Sequence, residues 1–203
     1  FKKENGIVVE PRLWLTVAEV KLGCAAHLAA AKRIEREILT ITGERTPENT
    51  LKAFNRLSIE LDRILPMASL VANTNPDKAV RTAAEKCEQE AKKYVSKLKL
   101  NRQLYDAVKA VNIDKIDAAG GRFVKHLLRD YRRSGVDRDQ ATRDKLAKLD
   151  EKMVKLGQSF GRNIREDKRF VMVTEKDLEG MPADWVKARA KKKNAEGKFK
   201  VTT

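Results

Sequence analysis

The sequence predicts an all-α fold: a bundle of long up-and-down helices with one small two-stranded β element near the C-terminus. Of the 203 residues only 5% are aromatic and 36% are charged, with ten glycines and five prolines. This composition, rich in Ala, Leu, Lys and Glu, favours helices. Apolar residues also recur three and four positions apart in several segments, and helix-start signals precede those segments. The length is compatible with one large domain or two small ones.

The first helix is predicted to begin near Val17. Thr16 and Glu19 have the spacing of a capping box, and Gly43 is the type of residue that follows a helix end. The apolar positions form a heptad-like seam: Val17, Val20, Cys24, His27, Ala31, Ile34, Ile38 and Ile41. A seam of this length needs other helices along it. We therefore expect the isolated chain to expose part of this seam and to self-associate.

Three more helices follow, each with its own start signal. Thr46-Pro47-Glu48 opens the second helix with Pro at the first helical position, and Asn75-Pro76-Asp77 opens the third. Asn101 is predicted to cap a shorter fourth helix. Pro66 lacks an amide hydrogen, so it should kink or end the second helix one turn earlier.

The segment Asn112–Gly121 is predicted to be a connection or a helix break, because Gly120-Gly121 is entropically costly inside a helix. A basic helix should then cover Arg122–Arg133. It is followed by a long helix from Asp137 to about Glu166, for which Asp137-Arg-Asp-Gln140 acts as a capping box.

The long helix carries its own apolar stripe, which we expect to face inward. Its members are Leu146, Leu149, Met153, Leu156, Phe160 and Ile164. Gly157 and Gly161 lie within the same helix and indicate close contact with another helix.

Beyond Lys168 the composition changes to β-favouring residues. Phe170–Thr174 and Phe199–Thr203 are predicted to pair as two antiparallel strands. One short helix is expected between them, from Pro182 to about Ala190.

The sequence offers no pattern for catalysis. A catalytic zinc needs three convergent protein ligands, and each of the two histidines, His27 and His126, is interpreted as a packed or surface residue. No serine follows a strand in a Gly-x-Ser-x-Gly turn. Cys24 and Cys87 occupy apolar positions of separate helices, which predicts reduced core residues rather than a disulfide or a metal pair. We therefore predict no catalytic and no metal-binding residues, and the substrate-binding residues stay unknown.

The formal charge of +15 raises the question of nucleic-acid binding. Most charges alternate in sign along helices, as in Glu35-Arg36-Glu37, which is typical of a solvated helix face. The basic run Lys187–Lys193 contains no aromatic residue for base stacking. The pattern therefore does not favour a nucleic-acid partner. No window is apolar enough to span a membrane, so no membrane partner is expected.

Six short motifs stand in a recognisable order. They are Asp77-x-x-Val-Arg-x-Ala-Ala-Glu-Lys, Leu100-Asn-Arg-x-Leu-Tyr, Leu128-Arg-Asp-Tyr-Arg-Arg-Ser-Gly-Val, Lys155-Leu-x-x-x-Phe-x-x-Asn-Ile, Leu178-x-Gly-Met-Pro and Gly197-Lys-Phe-Lys-Val-Thr. Their order and spacing resemble the N-terminal half of the thimet oligopeptidase-like (M3) zinc metallopeptidases. The zinc motif of that family, His-Glu-x-x-His, lies well downstream of such a segment, and these 203 residues end before it.

The resemblance implies that residues 1–203 form the N-terminal helical lobe of an oligopeptidase whose catalytic lobe is absent from this chain. Such a lobe forms one wall of a deep channel and restricts access to short peptides. The implied partners are the missing C-terminal catalytic lobe and, for the parent enzyme, short peptide substrates. Zinc is expected in the parent enzyme and no cofactor in this chain, which by itself should not be an enzyme.

Alternatives stay open at the level of sequence. The chain could be a stand-alone basic helical interaction or nucleic-acid-binding module, and the isolated chain could form a homodimer. A cytoplasmic location is expected, with a periplasmic or secreted location as the alternative because the sequence begins with Phe1 rather than Met.

Overall fold

The chain is seen in a computed structural model that describes residues 2–4, 7–9, 14–167, 169–190 and 193–202. Within these residues it forms seven α-helices and two separate two-stranded sheets. The helices are α1 (Val17–Leu39), α2 (Lys52–Thr74), α3 (Lys78–Lys99), α4 (Arg102–Lys109), α5 (Ala118–Arg133), α6 (Gln140–Glu166) and α7 (Ala183–Ala190). The strands are β1 (Lys2–Glu4), β2 (Ile7–Val9), β3 (Phe170–Val173) and β4 (Phe199–Thr202). The predicted all-α fold class is confirmed, and the chain divides into two compact units, residues 1–158 and 159–203.

Helix α1 begins where the sequence predicts, and its seam is buried. The Thr16 side chain accepts a hydrogen bond from the Glu19 backbone N–H, and the Glu19 carboxylate accepts one from the Thr16 N–H. Ile34 and Ile38 on the seam are at most 5% exposed, because α2 and α3 both pack against α1. The expectation of an exposed seam on the first helix is therefore wrong. Helices α2 and α3 cover the seam from Val20 to Ile38, while Val17 and Ile41 at its ends are half-buried.

Helix α2 continues through Pro66 to Thr74, so of the two predicted outcomes, a kink or an end of the helix, the end is wrong. Ile64 and Ala68, on either side of Pro66, are fully buried in the core. Pro in a helix interior costs roughly 3 kcal/mol, and burial of this apolar stripe between α1 and α3 offsets that cost. The start signal is confirmed, because Thr46 caps a π-helical turn, Pro47–Leu51, that leads directly into α2.

The two cysteines form a disulfide, which corrects the prediction of reduced thiols. Cys24 lies on α1 and Cys87 on α3, and their Cα atoms are 5.9 Å apart. Both residues are 4% exposed. Each cysteine occupies a seam position of its own helix, and the two seams face each other when α1 packs on α3. The sequence interpretation treated the helices separately and so missed this proximity.

Helices α3 and α4 begin as predicted, with Asp77 and Asn101 as N-cap residues. Helix α5 begins at Ala118, four residues before the predicted start at Arg122. The Asp117 side chain accepts a hydrogen bond from the Gly120 N–H at 2.7 Å and so starts the helix early. A Cβ atom on Gly120 would approach Ile116 Cγ2 within 2.4 Å. This crowding, rather than a helix break, explains the glycine.

Helix α6 starts at Gln140, capped by Asp139, which accepts a hydrogen bond from the Thr142 N–H at 2.9 Å. The structure describes all of α6 and buries none of its residues. The predicted inward stripe is therefore wrong for five of its six residues, which are exposed, whereas Leu146 is half-buried. Among the described atoms none lies within 4 Å of a Cβ built on Gly157 or Gly161, so the predicted close helix contact at these glycines is wrong as well.

The second unit contains the predicted C-terminal β element. Strands β3 and β4 pair antiparallel, with Phe170 opposite Thr202 and Val173 opposite Phe199. Leu178 and Phe199 are its buried apolar residues among those described, and α7 follows Pro182 as predicted. The end of the predicted strand at Thr203, and Lys191 and Lys192 of the basic run, lie outside the described residues.

The sequence interpretation missed the hairpin of β1 and β2, which pair with Glu4 opposite Ile7. The Asn-Gly dipeptide at positions 5 and 6 is a strong hairpin signal and could have revealed it. None of the described helices combines the length and hydropathy that a membrane span requires.

Candidate functional site

The two histidines occupy unrelated surroundings. His27 is buried on α1, and its Nδ1 atom lies 2.7 Å from Glu60 Oε2 on α2, so it serves as a packed residue of the core. His126 lies half-buried on α5 at a groove of about 460 Å³, which Arg122 and Lys125 also line. In the described part of the chain no three His, Cys, Asp or Glu residues are close enough to hold a metal ion.

A polar cluster joins α1, α3 and α4. The Glu35 carboxylate accepts hydrogen bonds from the Tyr94 hydroxyl at 2.8 Å and from the Asn101 side-chain amide at 2.9 Å. Burial raises the pKa of Tyr94 above its usual value, and the Glu35 carboxylate raises it further. Burial also raises the pKa of Tyr131, again with a contribution from Glu35. Both hydroxyls therefore stay protonated at neutral pH, and the cluster stabilises the contact between these helices.

Helix α6 contacts α3 through polar side chains. The Ser96 hydroxyl donates to Asp150 at 2.6 Å, and the Gln158 side-chain amide donates to the buried Glu88 at 2.9 Å. Between these hydrogen bonds Lys93 forms an ion pair with Glu151 at 3.3 Å. The side of α6 toward α3 therefore makes these polar contacts beside two half-buried apolar residues, Ala147 and Val154, while the larger apolar residues of the helix lie elsewhere.

The groove between α3 and α6 has a volume of about 300 Å³, and charged residues line much of it. Glu151 stands between two lysines in this groove. The hydrogen bond from Lys155 and then that from Lys93 lower the pKa of Glu151 below its usual value. Glu151 is therefore ionised at neutral pH, and the groove joins the two helices by charge pairing.

The apolar residues of α6 lie on the opposite side of the helix, exposed to solvent. We call three of them, all within residues 1–158, the α6 stripe: Leu149 (55% exposed), Met153 (68%) and Leu156 (70%). Two exposed lysines, Lys145 and Lys152, border one side of the stripe, while Lys148 and Lys155 line the groove toward α3. Contiguous exposed apolar residues of this kind mark interaction surfaces. The sequence analysis identified the stripe and assigned it to the core, and the bordering lysines were the signal that one flank faces water.

Comparison with known proteins gives a consistent result. The chain is 27% identical over 190 residues to the mitochondrial intermediate peptidase of Chaetomium globosum, which covers 91% of this chain and 23% of that protein. It is 26% identical over 172 residues to the thimet-like oligopeptidase of Dictyostelium discoideum, which covers 81% of this chain and 26% of that protein. The chain's relatives are M3-type peptidases.

A third relative, saccharolysin of Saccharomyces cerevisiae, is 22% identical over 140 residues, which cover 66% of this chain and 20% of that protein. The predicted resemblance is confirmed by these matches. No family model matches the chain. The chain spans about a quarter of the length of the curated relatives it matches first.

The zinc that M3-type peptidases imply does not fit the described residues of this chain. His27 is engaged with Glu60 inside the core, and both thiols are consumed by the disulfide. His126 lies at a groove of mixed charge, which Asp114, Asp117, Arg122 and Lys125 also line. A zinc site needs several ligands that converge on one point. No step of catalysis is therefore assigned to these residues.

Proposed function

We propose that residues 1–203 form the N-terminal, non-catalytic lobe of a zinc-dependent oligopeptidase that hydrolyses short peptides. The observation that carries this proposal is the similarity to peptidases along most of the chain, which matches only about a quarter of their length. The catalytic lobe and its zinc would then be supplied by the remainder of the parent polypeptide. This chain alone would bind no catalytic zinc and cleave no peptide.

The lobe's role in this proposal is steric. It forms one wall of the channel and limits access to short, unstructured peptides. A channel wall must be rigid. The disulfide links α1 to α3, and α2 packs against both of these helices, so the three-helix core supplies that rigidity. The net charge of +15 would attract the acidic groups and terminal carboxylates of peptides toward the channel.

We propose no nucleic-acid role, because many basic side chains already pair with carboxylates. Lys92 contacts Glu88 at 2.7 Å and Arg102 contacts Asp106 at 3.0 Å. As for location, a buried disulfide favours an oxidising compartment. The proposal therefore favours the periplasmic or secreted alternative over the cytoplasm.

The experiment that tests the proposed function starts from the parent reading frame. The full-length parent protein and the 203-residue chain are purified and assayed with short fluorogenic peptides, with and without a zinc chelator. We expect chelator-sensitive cleavage by the parent and none by the 203-residue chain. A parent frame without a His-Glu-x-x-His motif, or a parent protein without peptidase activity, would refute the proposal.

The steric role has a separate test in the same parent protein. The same cleavable sequence is presented as a free short peptide and inside a loop of a folded host protein. We expect cleavage of the free peptide only. Equal cleavage of both substrates would contradict a channel wall while leaving the peptidase assignment intact.

A further inference from the structure

The α6 stripe is built to receive another helix. Its residues follow the three- and four-residue spacing with which one helix packs along a second. Helix α6 is fixed to α3 by its opposite side through Ser96, Lys93 and Glu88. The stripe therefore cannot turn toward the core without breaking these contacts.

Charge indicates what kind of helix fits. Lys145 and Lys152 form a basic border along one edge of the stripe. On the α3 side the nearest carboxylates, Asp150 and Glu151, are already engaged by Ser96, Lys93 and Lys155. A helix docked on the stripe would therefore meet uncompensated positive charge. Acidic residues beside its own apolar face would complement that charge, as they do at the flanks of paired helices.

The same charges disfavour a second copy of this chain as the occupant. A symmetric antiparallel pairing of two α6 helices would bring the Lys145 and Lys152 borders of the two copies together. Each copy also carries a net charge of +15, which opposes self-association. About three quarters of each first-matched relative lies outside the matched stretch, so a parent polypeptide of that kind has ample chain to supply a covering helix.

We propose that the α6 stripe docks an amphipathic helix with an acidic flank that belongs to the remainder of the parent polypeptide. This inference rests on the proposed function, because it assigns the surface on which the parent's other lobe packs. It makes α6 the connection between that lobe and the core of α1, α2 and α3. The contact is apolar along the stripe and electrostatic along the lysine border.

Thiol labelling tests the docking directly. Met153→Cys is made in both the parent protein and the 203-residue chain, and Leu156→Cys serves as a second reporter. Leu70→Cys on α2 is the matched control, since Leu70 is 51% exposed outside the stripe. The native cysteines are disulfide-bonded and do not compete for the reagent.

We expect the reagent to label both stripe cysteines at least about tenfold more slowly in the parent than in the 203-residue chain, because a covered site reacts only after local opening. The Leu70→Cys control should react within about twofold at the same rate in both proteins. Equal rates for the stripe cysteines in both proteins would overturn the proposal. So would a parent reading frame that ends at Thr203. If labelling of the 203-residue chain slows as the concentration of that chain rises, a second copy covers the stripe. That result would overturn the proposal that the remainder of the parent polypeptide covers it.

The acidic flank of the proposed docked helix is tested separately in the parent protein. Lys145→Glu with Lys152→Glu should speed labelling of the Met153→Cys reporter about threefold or more, because the border would then repel the docked helix. Lys21→Glu, an exposed lysine on α1, is the control and should leave the rate unchanged. Unchanged or slower labelling in the double variant would refute the acidic partner. Peptidase activity of the parent is measured separately. A protected stripe in an inactive parent would contradict only the proposed function. An accessible stripe in an active parent would contradict only the proposed docking.

Discussion

Helices α1 and α6 are both long, and both carry apolar residues three and four positions apart, yet the structure uses them in opposite ways. Helix α1 buries its seam between α2 and α3, and Ile38 is fully buried. Helix α6 meets α3 with polar residues and leaves Leu156 70% exposed. Apolar residues three and four positions apart therefore identify a helix face that needs a partner. It does not say whether the partner lies within the same stretch of chain.

The largest difference should appear when a charge is placed on each face. Ile38→Asp buries an unpaired carboxylate in the core and should destabilise the 203-residue chain by about 4 kcal/mol or more. Leu156→Asp places the same side chain in solvent and should change the free energy of unfolding by no more than about 0.5 kcal/mol. Urea unfolding followed by circular dichroism measures both values. Similar losses for the two variants would show that α6 is buried in solution.

The disulfide sharpens the comparison, since it fixes α1 to α3 and nothing comparable fixes α6. Its two cysteines are 63 residues apart in sequence. Replacing both Cys24 and Cys87 with Ala should reduce the free energy of unfolding by about 2–4 kcal/mol, in part because the unfolded chain gains entropy.

A thiol titration of the unfolded, unreduced chain provides the accompanying check on the disulfide. It should find no free thiol, and two after reduction. Two free thiols before reduction would restore the earlier prediction of reduced core cysteines.

The next largest change in stability should follow from replacing one glycine on each of the two helices with Ala. A Cβ on Gly23 of α1 would lie 2.6 Å from the Trp14 indole nitrogen, so Gly23→Ala should cost about 1–3 kcal/mol through overpacking. Gly157 of α6 has open space at its Cβ. Gly157→Ala should therefore stabilise the chain by about 0.5–1 kcal/mol, the gain in helix propensity. Thermal unfolding of the two variants gives the signs, and a loss at Gly157 would reveal a neighbour in solution.

The smallest effect concerns pH and the α1–α3 contact. Burial and Glu35 raise the pKa of Tyr94 above its usual 10.0. Above about pH 10 the unfolded chain loses this proton while the folded chain keeps it. The folded state then binds more protons, so its stability falls as pH rises through this range. Tyr94→Phe should make the fall shallower in denaturant unfolding between about pH 9 and 11. If the free energy of unfolding of the variant falls with pH as steeply as that of the unaltered chain, Tyr94 is not the cause of the fall.

The sequence was sufficient for most helix starts, because N-terminal capping is local, but it placed the end of α1 at Gly43 although the helix ends at Leu39. Thr16 with Glu19, and Asp77, start their helices through hydrogen bonds to residues two or three positions away. The errors at helix starts have local causes as well. Asp117 starts α5 through the Gly120 N–H, and an Asp three residues before a glycine pair is a readable signal. The pairing of β3 with β4 was likewise foreseen from two short apolar runs.

Contacts between distant segments were not accessible in this way. Continuation of α2 through Pro66 depends on burial of Ile64 and Ala68 against other helices, and the disulfide depends on the angle at which α1 meets α3. Neither the burial of Ile64 and Ala68 nor the angle between α1 and α3 is determined by the residues of a single helix. The exposed state of the α6 stripe is of the same kind, since it follows from which face of α6 reaches α3.

By itself, then, the sequence determined the helical class, the starts of α1, α3 and α4, and the resemblance to M3-type peptidases, since capping hydrogen bonds and motif order are properties of neighbouring residues. The tertiary structure was needed to show that Cys24 meets Cys87, that the seam of α1 is buried from Val20 to Ile38, and that the α6 stripe faces solvent. The physical reason is that apolar burial is not directional. A stripe is satisfied by any surface that removes it from water, and which surface does so is set by packing of the whole chain.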